Sequence, residues 1–114
     1  MQRTIHSGMQ QLQGIEKAAT TNTASTLATL GFTTTRGVGA IADAKLKPCD
    51  KAIIYVETND IRMGAGTLLA ATGLFVEAGD YIKLESAKEI EHTKFISAVA
   101  GSHATLHVQL GFDS

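Results

Sequence analysis

Ala104-Thr105-Leu106-His107-Val108-Gln109-Leu110-Gly111-Phe112 reads as a β-strand with two unlike faces. Side chains alternate across a strand with period two. Ala104, Leu106, Val108, Leu110 and Phe112 therefore share an apolar face, and Thr105, His107 and Gln109 share a polar one with His103 just ahead of them. Such a strand covers a core with one side and closes a sheet. Gly101-Ser102 supplies the turn that leads into it.

The same period runs upstream. Lys94 to Val99 predicts a strand anchored by Phe95, and Tyr81-Ile82-Lys83-Leu84-Glu85 predicts one with Ile82 and Leu84 inward and Tyr81, Lys83 and Glu85 outward. Between them, Ser86-Ala87-Lys88-Glu89 has the spacing of a capping box and predicts one helical turn. Ala78-Gly79-Asp80 is a turn, and Leu68 to Phe75 is an apolar segment that bends at Gly73. Gly64-Ala65-Gly66 marks a loop after Ile61-Arg62-Met63, itself preceded by a turn at Asn59-Asp60. In Ala52-Ile53-Ile54-Tyr55-Val56-Glu57-Thr58 both faces are fairly apolar, which predicts a central strand or one covered by a partner.

The first half is less patterned. Gln10 to Lys17 suits a strand-like arm or a short helix, and Leu27 to Phe32 suits a short strand or a helical turn ended by Gly31. Thr33-Thr34-Thr35 is β-prone, and Lys45 to Asp50, with Pro48, is the turn that launches the stronger half. Short strands at intervals of about ten residues indicate an all-β fold, a small antiparallel β-sandwich or jelly-roll-like barrel. Residues 1–20 are expected as a loosely structured, extended N-terminal arm ahead of a single β domain over residues 21–114.

Composition narrows the function classes. The chain of 114 residues is 44% hydrophobic with no Trp, four Phe and two Tyr, so its core must come mainly from Leu, Ile, Val and Ala. A formal net charge of -1, with ten scattered basic residues, lacks the basic stripe of a nucleic-acid binder, and no direct nucleic-acid contact is expected. No apolar run approaches the roughly 20 residues that cross a bilayer, so no membrane partner is expected. The start, Met1-Gln2-Arg3-Thr4-Ile5-His6, lacks the apolar segment of a secretory signal, which leaves the cytosol as the expected place of synthesis.

The residue types that carry chemistry are present but not arranged for it. Cys49 stands alone, without a CxxC partner. His103 and His107 lie on one strand face about 13 Å apart, too far to share a metal ion that needs both nitrogens at about 2 Å. Glu89 and His92 meet at most as a two-ligand fragment on a helical turn. Glu77 and Asp80 flank Gly79 without the defined separation of an acid–base pair. There is no G-x-S-x-G elbow, and Arg36-Gly37-Val38-Gly39-Ala40 lacks the third glycine and the lysine of a phosphate loop. Neither catalysis nor a cofactor or metal is expected.

Contact residues are the remaining candidates. Arg62 sits beside a turn and a glycine loop, where a guanidinium fork suits a subunit contact. Tyr55 and Tyr81, off the core face, and the terminal aromatic Phe112 are the other candidate interface positions.

The order of these features resembles small β-structured virion proteins of tailed bacteriophages. The likeness lies in the glycine turn, alternating strand and final aromatic of residues 101–112, in the strand Ile53 to Thr58 followed by Ile61-Arg62 and Gly64, and in Gly73 with Gly79-Asp80. It covers roughly residues 48 to 112; the first 47 match no part of it. The resemblance implies a homo-oligomeric capsid decoration (cement) subunit of the virion, made in the host cytoplasm and bound to the major capsid protein. Its alternatives are a neck, tail or baseplate subunit bound to tail or neck proteins, or a small receptor- or sugar-binding β module.

Overall fold

The computed structural model describes residues 10–35, 47–67 and 72–113. The first nine residues of the expected arm, the Arg36–Ala40 glycine string and the Leu68-Leu69 part of the apolar segment lie outside them.

Among the described residues, eight strands and one short helix follow in the order β1 (Gln10–Ala19), β2 (Ser25–Thr26), β3 (Lys51–Glu57), β4 (Ile61–Gly64), β5 (Leu74–Val76), β6 (Tyr81–Leu84), α1 (Ala87–His92), β7 (Lys94–Ser97) and β8 (Thr105–Asp113). They form two four-stranded sheets of order β1-β8-β3-β6 and β2-β7-β4-β5, antiparallel at every pairing. First pairs with last, second with seventh, third with sixth and fourth with fifth, so the chain is one long hairpin rolled up, its strand pairs alternating between the sheets. That is the strand order of a jelly roll, a sandwich of two Greek keys.

Register follows from the faces. Ala52, Ile54 and Val56 of β3 oppose Leu110, Val108 and Leu106 of β8, and all six are buried. With Ile82 and Leu84 from the first sheet, and Ile61 and Phe95 from the second, they form one core. Leu27, Cys49 and Ile90 close it from the loops and the helix. The first sheet therefore keeps one dry face and one facing solvent.

Turn chemistry matches the sequence at two glycines. Asp80 N–H donates to Glu77 O and Ser102 N–H to Val99 O, with Gly79 at φ 98° and Gly101 at φ 82° in the third positions. These are type II geometry, which needs a positive φ there. Thr58 does the same without being glycine, at φ 84°, in a three-residue turn closed by Asn59 N–H on Glu57 O.

Several sequence alternatives resolve here. Gln10–Ala19 is a strand, the edge of the first sheet, so the second half of the expected arm belongs to the β domain. Its register slips between Leu12 and Ile15, where Gln13 and Gly14 oppose Leu110 alone. Leu27 to Phe32 is a helical turn: Phe32 N–H reaches Leu27 O and Gly31 N–H reaches Ala28 O, a Schellman closure with Gly31 at φ 100°. The expected single turn after Ser86 extends to six residues, with Ser86 Oγ accepting Glu89 N–H and Glu89 Oε1 accepting Glu85 N–H.

Neighbouring isoleucines on β3 test the face assignment. Ile54→Ala, fully buried, is expected to cost about 3 kcal/mol, and Ile53→Ala on the outer face about 1 kcal/mol. Urea midpoints at constant m-value measure both; equal losses would contradict the assignment.

Candidate functional site

Because the first sheet is dry on one side only, its outer face collects the residues left over by the core pattern. Pairing arranges them in levels across the four strands. One level runs Tyr81, Tyr55, His107 and Lys17, from β6 through β3 and β8 to β1. The next, two residues along each strand, runs Lys83, Ile53, Gln109 and Ile15. Beyond it lie Lys51 and Leu12, and on the far side of the tyrosine level lies Glu57.

The tyrosine level is an aromatic row. The rings of Tyr55 and Tyr81 are 5.0 Å apart, tilted 46°, and Tyr55 stands 6.0 Å from the His107 ring, within the range of favourable aromatic pairing. His107 Nε2 is 2.8 Å from Glu57 Oε1, which fixes the imidazole at the end of the row. Apolar exposure is high for a solvent-facing surface: Ile15 is 68% exposed, Tyr81 69%, Leu12 51% and Ile53 37%. Beside the row the surface dips into a shallow depression lined by Leu12, Lys51, Ile53, Lys83 and Gln109. Exposed apolar groups that share one face and are rimmed by charges mark an interaction surface more often than isolated ones do.

Of the residues singled out from sequence, the structure brings Tyr55 and Tyr81 together here but not the other two. Arg62 lies on the other sheet, where its guanidinium carbon is 5.1 Å from the Phe75 ring centroid and Nη1 donates to Gly73 O at 3.0 Å. Its Nε is buried without a hydrogen-bond partner among the described residues. Phe112 packs against the core from the inner face. Sequence reasoning missed Leu12 and Ile15, since β1 was ambiguous, and it missed the role of His107 as a member of an aromatic row.

A second polar group sits between the sheets. Thr20 Oγ1 is 2.8 Å from Ser97 Oγ, accepts Ala104 N–H at 2.9 Å, and lies 3.5 Å from Ala104 O. Ser97 Oγ is in turn 2.8 Å from His103 Nδ1. A serine bonded to a histidine invites comparison with a nucleophile and its base. Ser97, however, is only 1% exposed, and its oxygen also bonds Thr20, so a substrate carbonyl has no approach to it. The chain of hydroxyls instead ties β1, β7 and the start of β8 together across the sandwich. His103 and His107 thus serve different partners. His92 pairs with Glu91 at 3.4 Å rather than with Glu89. No three His, Cys, Asp or Glu among the described residues converge as metal ligands, and no described helix is long and apolar enough to cross a membrane.

No family model matches the chain, and neither a curated protein nor a solved structure matches it.

Removing one hydroxyl from the buried chain leaves its neighbours without a partner, which costs more than the bond itself is worth. Thr20→Val is expected to destabilise by about 2 kcal/mol and Ser97→Ala by about 1–2 kcal/mol, read from denaturant midpoints. The double variant should lose less than the sum of the two, because the bond they share is counted once. Strict additivity would show that the hydroxyls act independently.

Proposed function

We propose that this protein is a structural subunit that works by protein–protein contact through the outer face of the β1-β8-β3-β6 sheet. The observation that carries the reading is the aromatic row of Tyr81, Tyr55 and His107 set among exposed Ile15 and Ile53. Burying such a face on a partner removes apolar surface from water, at roughly 25 cal/mol per Å². The proposed setting is a tailed-bacteriophage particle, with the chain decorating or stabilising the shell against the major capsid protein. That setting rests on the resemblance over residues 48 to 112, and a neck, tail or baseplate position would use the same face on other partners. A jelly roll is a frame used by viral capsid domains, which supports the setting by analogy of architecture only. No catalytic step is part of the proposal.

One feature favours a second reading. Jelly rolls also serve as lectin domains, and the Tyr81 ring is 69% exposed with Lys83 two residues along the same face of β6. A sugar ring stacked on Tyr81 and hydrogen-bonded to Lys83 would make the chain a small receptor- or sugar-binding module.

Mass spectrometry of purified particles separates the readings. The protein is expected there in many copies. A Tyr55→Ser, Tyr81→Ser double variant should be lost from particles while its melting temperature falls only a few degrees, as for surface changes generally. Abundant protein in the lysate with none in particles rejects the virion setting. Shifts of the two tyrosine ring resonances on titration with free oligosaccharides would favour the sugar reading.

A further inference from the structure

We propose that this outer face takes an amphipathic helix of a partner protein, one that carries a carboxylate at each end of its apolar stripe. The proposal rests on the reading of the face as a contact surface and states the chemistry of what docks there.

Two adjacent levels frame the site. Tyr81, Tyr55, His107 and Lys17 form one, and Lys83, Ile53, Gln109 and Ile15 the other. Four strands and a two-residue step along them make a rectangle of about 14 by 7 Å. Lys17 and Lys83 occupy one pair of opposite corners, and Ile15 and Tyr81 the other pair, with Ile53 and Tyr55 between them. All four corner residues are exposed, and neither lysine has an ion-pair partner among the described residues.

The other polar groups beneath such a partner are already engaged. His107 Nε2 is 2.8 Å from Glu57 Oε1, and Gln109 Nε2 donates to Gln13 O at 3.0 Å. Lys51, whose Nζ donates to Glu85 O at 3.4 Å, lies one level outside the rectangle, as does Glu85 just past the end of β6. Covering the rectangle therefore leaves two charges to be answered, the ammonium ions of Lys17 and Lys83. A covered cation needs an opposite charge.

Distance selects the shape of the partner. The lysine corners are about 16 Å apart on the diagonal, and Ile15 and Tyr81 stand about 6 Å to either side of that line. A helix is about 10–12 Å across, and residues eleven apart on it are about 16.5 Å apart along the axis and only about 20° apart around it. Laid on the diagonal, a helix with carboxylates at that spacing brings one to each lysine. Its apolar residues three, four, seven and eight along from the first then meet Ile53 and Tyr55, and its flanks rest against Ile15 and Tyr81. An extended segment spans the diagonal in about five residues with alternate side chains turned away, so it reaches neither flank. The contact covers roughly 200 Å², well below the about 800 Å² per partner of a stable interface. A lone helix therefore binds weakly, with Kd on the order of 0.1–1 mM.

NMR titration of the full chain tests the proposal. The probe is a fifteen-residue alanine–glutamine peptide, stapled on its far side because free helices of this length are marginal in water. It carries glutamate at its second and thirteenth positions and leucine at its fifth, sixth, ninth and tenth. Amides of β6, β3, β8 and β1 and both tyrosine rings are expected to shift, with a Kd in that range. Exchanging both glutamates for glutamine, or making Lys17→Glu with Lys83→Glu in the protein, should raise Kd about tenfold. The charge-reversed protein, its fold checked by thermal melting, should regain affinity for a peptide with lysine at the two positions. No shift up to about 2 mM peptide, or equal affinity for the glutamine peptide, overturns the proposal. Dilution of the protein alone that moves the same resonances gives the face to a second copy. Retention on phosphatidylglycerol-containing vesicles that the charge-reversed protein loses gives it to an anionic membrane, and either result overturns the helix. The structural-subunit reading is judged separately, by particle composition.

Discussion

β8 is held on both sides: it pairs with β1 from Ala19 to Gln10 and with β3 from Glu57 to Lys51. Its inward residues are buried in the core, and its outward ones carry His107 and Gln109. A slip of one residue along either neighbour would exchange the two faces and send the whole apolar set into water. Several buried side chains at roughly 1.5–3 kcal/mol each make that slip far costlier than the margin by which a small domain is stable. Once β8 is fixed, the levels of the outer face are fixed with it. The order of Tyr81, Tyr55, His107 and Lys17 across four strands is a consequence of register.

The second half of the chain was legible because this constraint shows in sequence. Wherever one face is dry and the other wet, alternation is clean, as in β6 and β8, and the turns at Gly79 and Gly101 carry glycine where φ must be positive. β1 was not legible, for a physical reason. Leu12 and Ile15 are three residues apart, which reads as helical spacing, yet the bulge at Gln13 and Gly14 puts both on the outer face of a strand. Two of its inward residues are polar because they meet a loop: Glu16 accepts the Thr33 N–H and hydroxyl, and Gln13 Nε2 donates to Thr33 O. A bulge and a polar inner lining together erase the period-two signal. Tyr55 and Tyr81 could be assigned to the outer side from alternation alone. Their contact could not, since strand pairing is a long-range property. Arg62 read as a contact residue because its place beside a glycine loop was visible, while Phe75, which its guanidinium faces, became its neighbour only through the β4–β5 register.

The sandwich is tied at the end where β1 finishes and β8 begins. Thr20, Ser97 and Ala104 join the two sheets through buried bonds, Asn59 Nδ2 donates to His103 O, and Asp60 accepts Ala78 N–H. Thr58, a β-branched residue at positive φ, stores strain of about 1–3 kcal/mol that these bonds offset. The strained turn directly follows Glu57, so the network that holds it also fixes where that carboxylate sits at the edge of the aromatic row. The outer face is thus presented by a rigid frame, and a preorganised surface loses less entropy on docking.

An apolar face in water also invites unwanted partners, and the distribution of charge answers this. Lys17 and Lys83 border the apolar positions, so an indifferent apolar surface laid on this face would bury cations without an opposite charge. The β1 edge, where a foreign strand could add, is bent by its bulge and carries Lys17 on its outer side, both of which oppose edge-to-edge growth. Specificity at this surface therefore comes less from the area it can bury, which is modest, than from the few places where an incorrect partner would strand a charge.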